Sequence, residues 1–448
     1  MLKRVVITLV IFLLAACSEP VAETHLGQIK QKDKVRIGTL AGESTYYISA
    51  NGELGFEYEL AKAFANFIDA ELEIIPFFSI KDMLNKLEKG QIDILASGLT
   101  LNKSRLNKYR FAPQYRSISQ KLVYKQGRKR PRNFSQLDAP VTVIAKSAHA
   151  ASLLKAKANF ENLQWVETEE FDEAELLQGI IDGKFDYTIA DSHTLALFRR
   201  YHPELSIAFS VTREEPVAWM LQQNDDDSLY ALAIEFFGYA RSTGLLQNLE
   251  EKYFGHVRQF NYINTLAYIE AVRDVLPKYR DWFKQYSRSL DWRLLAAVSY
   301  QESMWDPRAK SPTGVRGIMM LTLPTAKSVG VKNRLEPEQN IRGGGIYLEK
   351  LINRVPERIK EPDRTWLALA AYNVGFGHME DARVLTEKAG GDADKWADVK
   401  KHLPLLIKKR YYRQTRYGFA RGDVAVKYVD NIRRYYDTLV WLDENQDE

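Results

Sequence analysis

In the run Asp291-Trp-Arg-Leu-Leu-Ala-Ala-Val-Ser-Tyr-Gln-Glu302-Ser-Met-Trp305, helical spacing puts Leu294, Val298, Glu302 and Trp305 on one stripe. A carboxyl therefore stands where an apolar residue belongs. Burying a carboxylate without a cation is costly, so such a group keeps its proton and its pKa rises, as a general acid near neutral pH requires. Glu302 is the candidate catalytic acid, and the plain alternative is a helix-end carboxylate whose tip reaches water. Asp306 is the tempting second carboxylate, but Pro307 imposes extended or turn geometry on it, so it reads as a helix-end or loop residue. The seven histidines lack ligand spacing and no glycine loop suits a phosphate, so neither a metal nor a cofactor is expected.

Helical patterns that would position this carboxyl run over 264–286, 291–305, 323–329, 340–354, 364–374 and 424–441. Asp291 can cap its helix and Pro324 fits a first turn. Glycines 343 to 345 weaken a helix, so they are expected where another helix or a sugar comes close. Met304, Trp305, Met319 and Met320 suit either a core or a sugar platform.

A chain of 448 residues is too long for one core and implies about two or three domains. Lys3 and Arg4 precede the apolar run Val5 to Leu14, which is too short to span a bilayer and is shaped like a secretory signal over residues 1–16. The run ends Leu14-Ala15-Ala16-Cys17, which resembles the bacterial lipoprotein signal and implies lipidation of Cys17; the alternative is an ordinary cysteine in a cleaved signal. Ser18 in place of an aspartate resembles outer-membrane sorting, so attachment to the periplasmic face of the Gram-negative outer membrane is expected, with residues 17–32 as anchor and tether. Net charge is +5, a weak partner signal, and export disfavours nucleic acid. Lys125, Arg128, Lys129, Arg130 and Arg132 cluster, as do Lys408, Lys409, Arg410, Arg413 and Arg416 among tyrosines. Such runs are usually solvated faces, and the functional alternative is attraction to an anionic polymer or lipid surface.

From about 33 to 257 strand-like and helical patterns alternate, which predicts an α/β domain. Leu87-Glu-Lys-Gly90-Gln-Ile-Asp93 through Gly98 and Ile181-Asp-Gly183-Lys-Phe-Asp186 through Asp191 echo one another as helix, glycine stop and strand, suggesting two similar lobes. The phrases Gly55 to Phe64, Asp93 to Thr100 and Arg105 to Tyr115 resemble, in order, the periplasmic solute-binding domains for polar amino acids. The resemblance implies that Arg105 clamps a ligand carboxylate, Asp191 receives its ammonium, and Gly98 and Thr100 add contacts. Lys146 and Ser147 occupy further ligand positions but depart from the usual types, and a domain that keeps the fold without binding is the alternative.

Residues 258–448 are almost wholly helical in pattern, with no Pro/Gly/Ser linker before them, so the two domains are expected to abut. Glu302-Ser303, Gly317-Ile-Met-Met320, Ala371-Tyr372-Asn373-Val-Gly375 and Tyr428-Val429 resemble, in order, the motifs of the soluble-lytic-transglycosylase-like family. That resemblance implies a lysozyme-like fold acting on peptidoglycan, with Ser303, Met319, Met320, Tyr372, Asn373 and Tyr428 along the glycan. Met320 replaces a usual glutamine, and Val424-Ala-Val-Lys before Tyr428 departs from the broader pattern. It also implies non-hydrolytic cleavage by one carboxyl, with the muramyl C6 hydroxyl closing on C1 in place of the second carboxyl that most glycosidases need. The fold class expected is a two-lobed α/β binding-protein-like domain followed by a helix-rich lysozyme-like domain, with peptidoglycan and an amino-acid or muropeptide ligand as partners. A glycan-binding protein without catalysis and a water-using muramidase are the other readings.

Overall fold

The computed structural model describes residues 24–445, apart from 50–51, 102, 258–261 and 312–313. Cys17 and the signal lie outside the described residues. The chain divides into two compact units: one reaches to Ser117 and adds Glu215–Thr243, the other comprises Ile118–Glu214 and everything from Gly244. The division runs through the segment 33–257.

In the first unit a sheet runs in the order Glu71–Phe77, Lys34–Leu40, Ile94–Leu95, Met220–Gln222, Tyr109–Phe111. Its first three strands are parallel, with buried Ile37 opposite both half-buried Ile74 and buried Ile94, a β-branched ladder. Helix Phe56–Phe67 buries Leu60 and Phe64 completely, the latter edge-on to Trp219 and Phe236. The expected tether is corrected here: residues His25–Lys32 form a helix rather than a free linker. Thr24 caps it, Ile29 is buried, and the Nε2 of His25 lies 2.8 Å from Oδ1 of Asp93, so the segment has partners to order it.

The second unit carries a sheet in the order Trp165–Thr168, Val141–Ile144, Tyr187–Asp191, Gln120–Lys125, Leu205–Ser210. The sequence echo has a structural meaning. Helices Ile80–Glu88 and Glu173–Ile181 each end near a glycine at positive φ, Gly90 at 63° and Gly183 at 76°, and each leads into the middle strand of its sheet.

The helical part of the second unit packs around Leu295, Val298, Ile318, Leu348, Leu367 and Val429. The long helix Gly422–Glu444 also meets the sheet-bearing part of its unit directly. Arg433 reaches Glu251 at 2.7 Å, Arg200 reaches Asp437 at 2.6 Å, and the rings of Tyr201 and Trp441 stack 4.3 Å apart. No tether is needed where ion pairs and stacked rings hold the seam. Helices Phe376–Lys388 and Trp396–His402 were not legible in the sequence, because Gly375 and Gly377 read as the end of a helix rather than as the start of the next.

Candidate active site

Asp291 caps helix Trp292–Ser303 by accepting the N–H of Arg293 at 2.9 Å, and the helix stops where Met304 and Trp305 both turn to positive φ, 52° and 62°. Non-glycine residues adopt that region only at a cost, so tertiary contacts must hold it. One is visible: the Nε1 of Trp305, whose side chain is fully buried, donates to the carbonyl of Ala296 at 2.9 Å. The expected stripe is corrected accordingly. Trp305 lies past the helix end and folds into the core beside Tyr268 and Tyr300, instead of continuing the line of Leu294, Val298 and Glu302.

Glu302 is mostly buried, and the hydroxyl of Tyr428 donates to its Oε1 at 2.5 Å. Burial pushes the carboxyl up to about 7, against the opposing pull of that hydrogen bond, and among the described residues no cation offsets it. Tyr372 lies parallel to Tyr428, ring centroids 6.4 Å apart, and its own hydroxyl donates to the carbonyl of Met319 at 3.0 Å. Burial first, and then the neighbouring Glu302, raise both phenols well above their ordinary range, so both keep the proton they donate.

The turn 317–320 is pinned from several sides. Ser303 and Ser299 donate to the carbonyl of Ile318 at 2.8 and 3.0 Å. Asn340, fully buried, accepts the N–H of Met319 at 2.8 Å and donates to the carbonyls of Arg316 and Arg334 at 3.3 and 2.7 Å. Gly317 sits at φ 85°, and a Cβ there would lie 1.9 Å from the carbonyl oxygen of Arg334, so no side chain fits. The glycines of helix Pro337–Arg354 answer the same need for closeness: a Cβ on Gly344 would meet the Met319 side chain at 2.6 Å, and one on Gly345 the carbonyl of Tyr286 at 2.5 Å. Their neighbours are a turn and a helix end rather than a sugar.

The expected glycan contact of Met319 is corrected. The side chain of Met319 is fully buried against Gly344, so it belongs to the core. The half-buried Ser303 directs its hydroxyl hydrogen at the carbonyls of Ser299 and Ile318, a clasp on the turn that leaves its oxygen able to accept. Met320, half-buried at φ 47°, and the exposed Asn373 keep side chains available. Asp306 is an exposed loop residue that accepts the N–H of Arg308 at 2.8 Å. Asn340 was missed in the sequence; a polar residue on the apolar face of a helical pattern was the available signal.

The candidate ligand residues of the α/β part fall in both units. In the first, Gly98 has φ 68°, Thr100 bridges to Val217, and buried Arg105 donates through Nη1 to the Thr100 carbonyl at 3.3 Å. In the second, Ser147 caps helix Ala148–Lys157 through the N–H of Ala150, while Lys146 has φ 57° and donates its N–H to Glu167. Asp191 stands 3.2 Å from Nε2 of His149, and its N–H donates to Glu173 at 2.6 Å. Burial, then the charge of Asp191, lifts Glu173 to about 8. His149 and Glu173 went unnoticed, although both stand in the first turn of helices whose caps, Ser147 and Asp172, can be read directly.

A family model described as the transglycosylase SLT domain matches residues 282–395, and one described as bacterial extracellular solute-binding proteins, family 3, matches residues 35–256. Fold and site thus define a protein in which a solute-binding domain precedes a helical transglycosylase domain. Membrane-bound lytic murein transglycosylase F of Pseudoalteromonas translucida (strain TAC 125) is 65% identical over 443 residues, covering 99% of this chain and 94% of that protein. Its counterpart in Idiomarina loihiensis (strain ATCC BAA-735 / DSM 15497 / L2-TR) is 53% identical, covering 96% and 95%. The chain belongs to the membrane-bound lytic murein transglycosylase F family.

Proposed function

We infer that the chain is a peptidoglycan lytic transglycosylase whose acid is Glu302, and the observation that carries this is the uncharged-partner setting of that carboxyl, raised to about 7 and held by Tyr428. Protonated near neutral pH, Glu302 donates to the glycosidic oxygen between N-acetylmuramic acid and N-acetylglucosamine. The muramyl acetamido group steadies the developing cation at C1. Glu302, now a carboxylate accepting from Tyr428, takes the proton of the muramyl C6 hydroxyl as its oxygen bonds to C1. Proton count balances, no water is consumed, and a 1,6-anhydro end results. Tyr372, Asn373 and Met320 line the glycan, and Tyr428 orients the acid.

The test is digestion of purified murein by the full chain and by Glu302→Gln, read by mass spectrometry. Anhydro products from the former and none from the latter are expected. Products heavier by one water would mean a muramidase, and wild-type turnover in the variant would remove Glu302 from its role.

The segment 33–257 is read as a ligand-sensing domain for a carboxylate-bearing amino acid or released peptide, using Gly98, Thr100, Arg105, Lys146, Ser147 and Asp191; the match to a solute-binding family supports this. Calorimetry with amino acids and muropeptides tests it, and absence of heat with all of them would leave the domain a spacer. Residues 258–448 are read as the catalytic domain. Among the described residues no helix is long and apolar enough to cross a membrane. Membrane attachment is assigned to a lipid on Cys17 at the outer membrane, supported by the signal-like run before it. Cys17→Ala should release the protein from membranes, and attachment that survives a salt wash would refute the assignment.

A further inference from the structure

The basic and aromatic run that follows the turn Leu403–Ile407 is not absorbed by the surroundings of Glu302. Lys408, Lys409, Arg410, Arg413 and Arg416 are exposed, and among the described residues none of their side chains pairs with a carboxylate. Elsewhere in the helical part arginines find acids: Arg383 meets Glu380 and Asp394, and Arg293 meets Asp291 and Glu444. Unpaired cations alone would be a solvated face.

Two features set this face apart. The loop is rigidly held: buried Asp381 accepts the N–H groups of Arg416 and Tyr417 at 3.0 and 2.9 Å, and the N–H of Ala420 donates to Leu406 at 3.2 Å. A buried carboxylate is thus committed to the backbone of an exposed loop and leaves the arginine side chains charged and free of acids. Beside them stand aromatic rings open to solvent, Tyr417 at 51% and Phe419 at 56% exposure. Tyr417 lies flat on Gly377, where an added Cβ would meet its ring at 2.8 Å, just past the Tyr372–Gly375 turn.

We propose that this loop is a second contact site for the murein strand, at which Tyr417 and Phe419 stack on sugar faces while Arg410, Arg413 and Arg416 pair with carboxylates of the peptide stems. Planar guanidinium groups meet carboxylates with two parallel hydrogen bonds, and a fixed aromatic face is already desolvated on one side. The assignment rests on the murein reading above, and extends the bound strand beyond the surroundings of Glu302.

Binding is measured by co-sedimentation with intact sacculi, using the full chain with Glu302→Gln as parent so that cleavage does not intervene and failure of the catalytic reading leaves binding readable. Arg410→Gln/Arg413→Gln/Arg416→Gln should bind about tenfold more weakly, as expected of a few exposed ion pairs acting together. Converting sacculus carboxylates to amides should weaken the parent to the same level and leave the triple variant where it was. Phe419→Ala should weaken binding to both preparations. Parent-like binding by the triple variant, or indifference of the parent to amidation, overturns the proposal. So does a loss confined to phosphatidylglycerol vesicles, which would assign the face to lipid.

Discussion

The phenol of Tyr428 reaches Oε1 of Glu302 from 126 residues away, at 2.5 Å, and among the described residues it is the one group opposing the burial that raises this carboxyl. Donation to a carboxyl favours its charged form, so Tyr428 tunes the acid downward while fixing its direction.

Tyr428→Phe should therefore raise the pKa of Glu302 further. The alkaline limb of the rate profile for anhydro-product release is expected to move up by about one pH unit, and turnover to fall about tenfold through lost orientation. An unmoved limb would separate Tyr428 from the acid.

The raised pKa also has a stability consequence. Folded Glu302 binds its proton more tightly than the unfolded chain does, since its pKa is about 7 against 4.5. The stabilisation is complete below 4.5 and disappears as pH rises through about 7, a change of up to roughly 3 kcal/mol. Glu302→Gln cannot titrate, so its stability relative to wild type should grow across that window. Urea unfolding at a series of pH values measures it; a gap constant with pH would contradict it.

Asn340→Ala strips the turn 317–320 of its central support, leaving the N–H of Met319 and the carbonyl of Arg334 unpaired, while the Arg316 carbonyl keeps the N–H of Leu321. The expected loss is roughly 3 kcal/mol, from the cost of buried unsatisfied groups. Chemical denaturation would show it, and a loss under about 1 kcal/mol would mean the turn is held without Asn340.

The seam around His256 should weaken in acid. Burial, then the charge of Arg433, holds His256 at about 4 instead of 6.5, so below 6.5 the unfolded chain takes up a proton that the folded one refuses. Stability is level above 6.5 and declines as pH falls towards 4, by roughly 3 kcal/mol. Asp437 does not share that window: burial lifts it, but His256, Arg200 and Arg433 outweigh this and hold it at about 2. His256→Gln should flatten the decline in pH-resolved denaturation.

Residues whose role follows from local pattern were legible in the sequence. The paired helix–glycine–strand phrases could be read because αL glycines and buried strands leave a short-range signature, and Glu302 stood out as a charge on an apolar stripe. Tyr428 was found only through its motif. What stayed hidden depends on contacts distant in sequence: the burial of Met319 against Gly344, the turn of Trp305 into the core, the clasp made by Ser303, and the grip of Asn340. Nothing in the order of residues announces which carbonyl a side chain will meet. Helix His25–Lys32 reads as tether because its composition is polar, and what orders it lies at Asp93, far along the chain.

The helix Gly422–Glu444, roughly 35 Å long at the usual rise, has Tyr428 near one end and Asp437 and Trp441 towards the other. It is a single strut with one foot on Glu302 and the other on Arg200, Tyr201 and His256. Loosening the far footing, as in Asp437→Asn or Trp441→Ala, is expected to shift the acidity of Glu302 if the strut moves as one piece, and an unchanged pH profile would show that its two ends act independently.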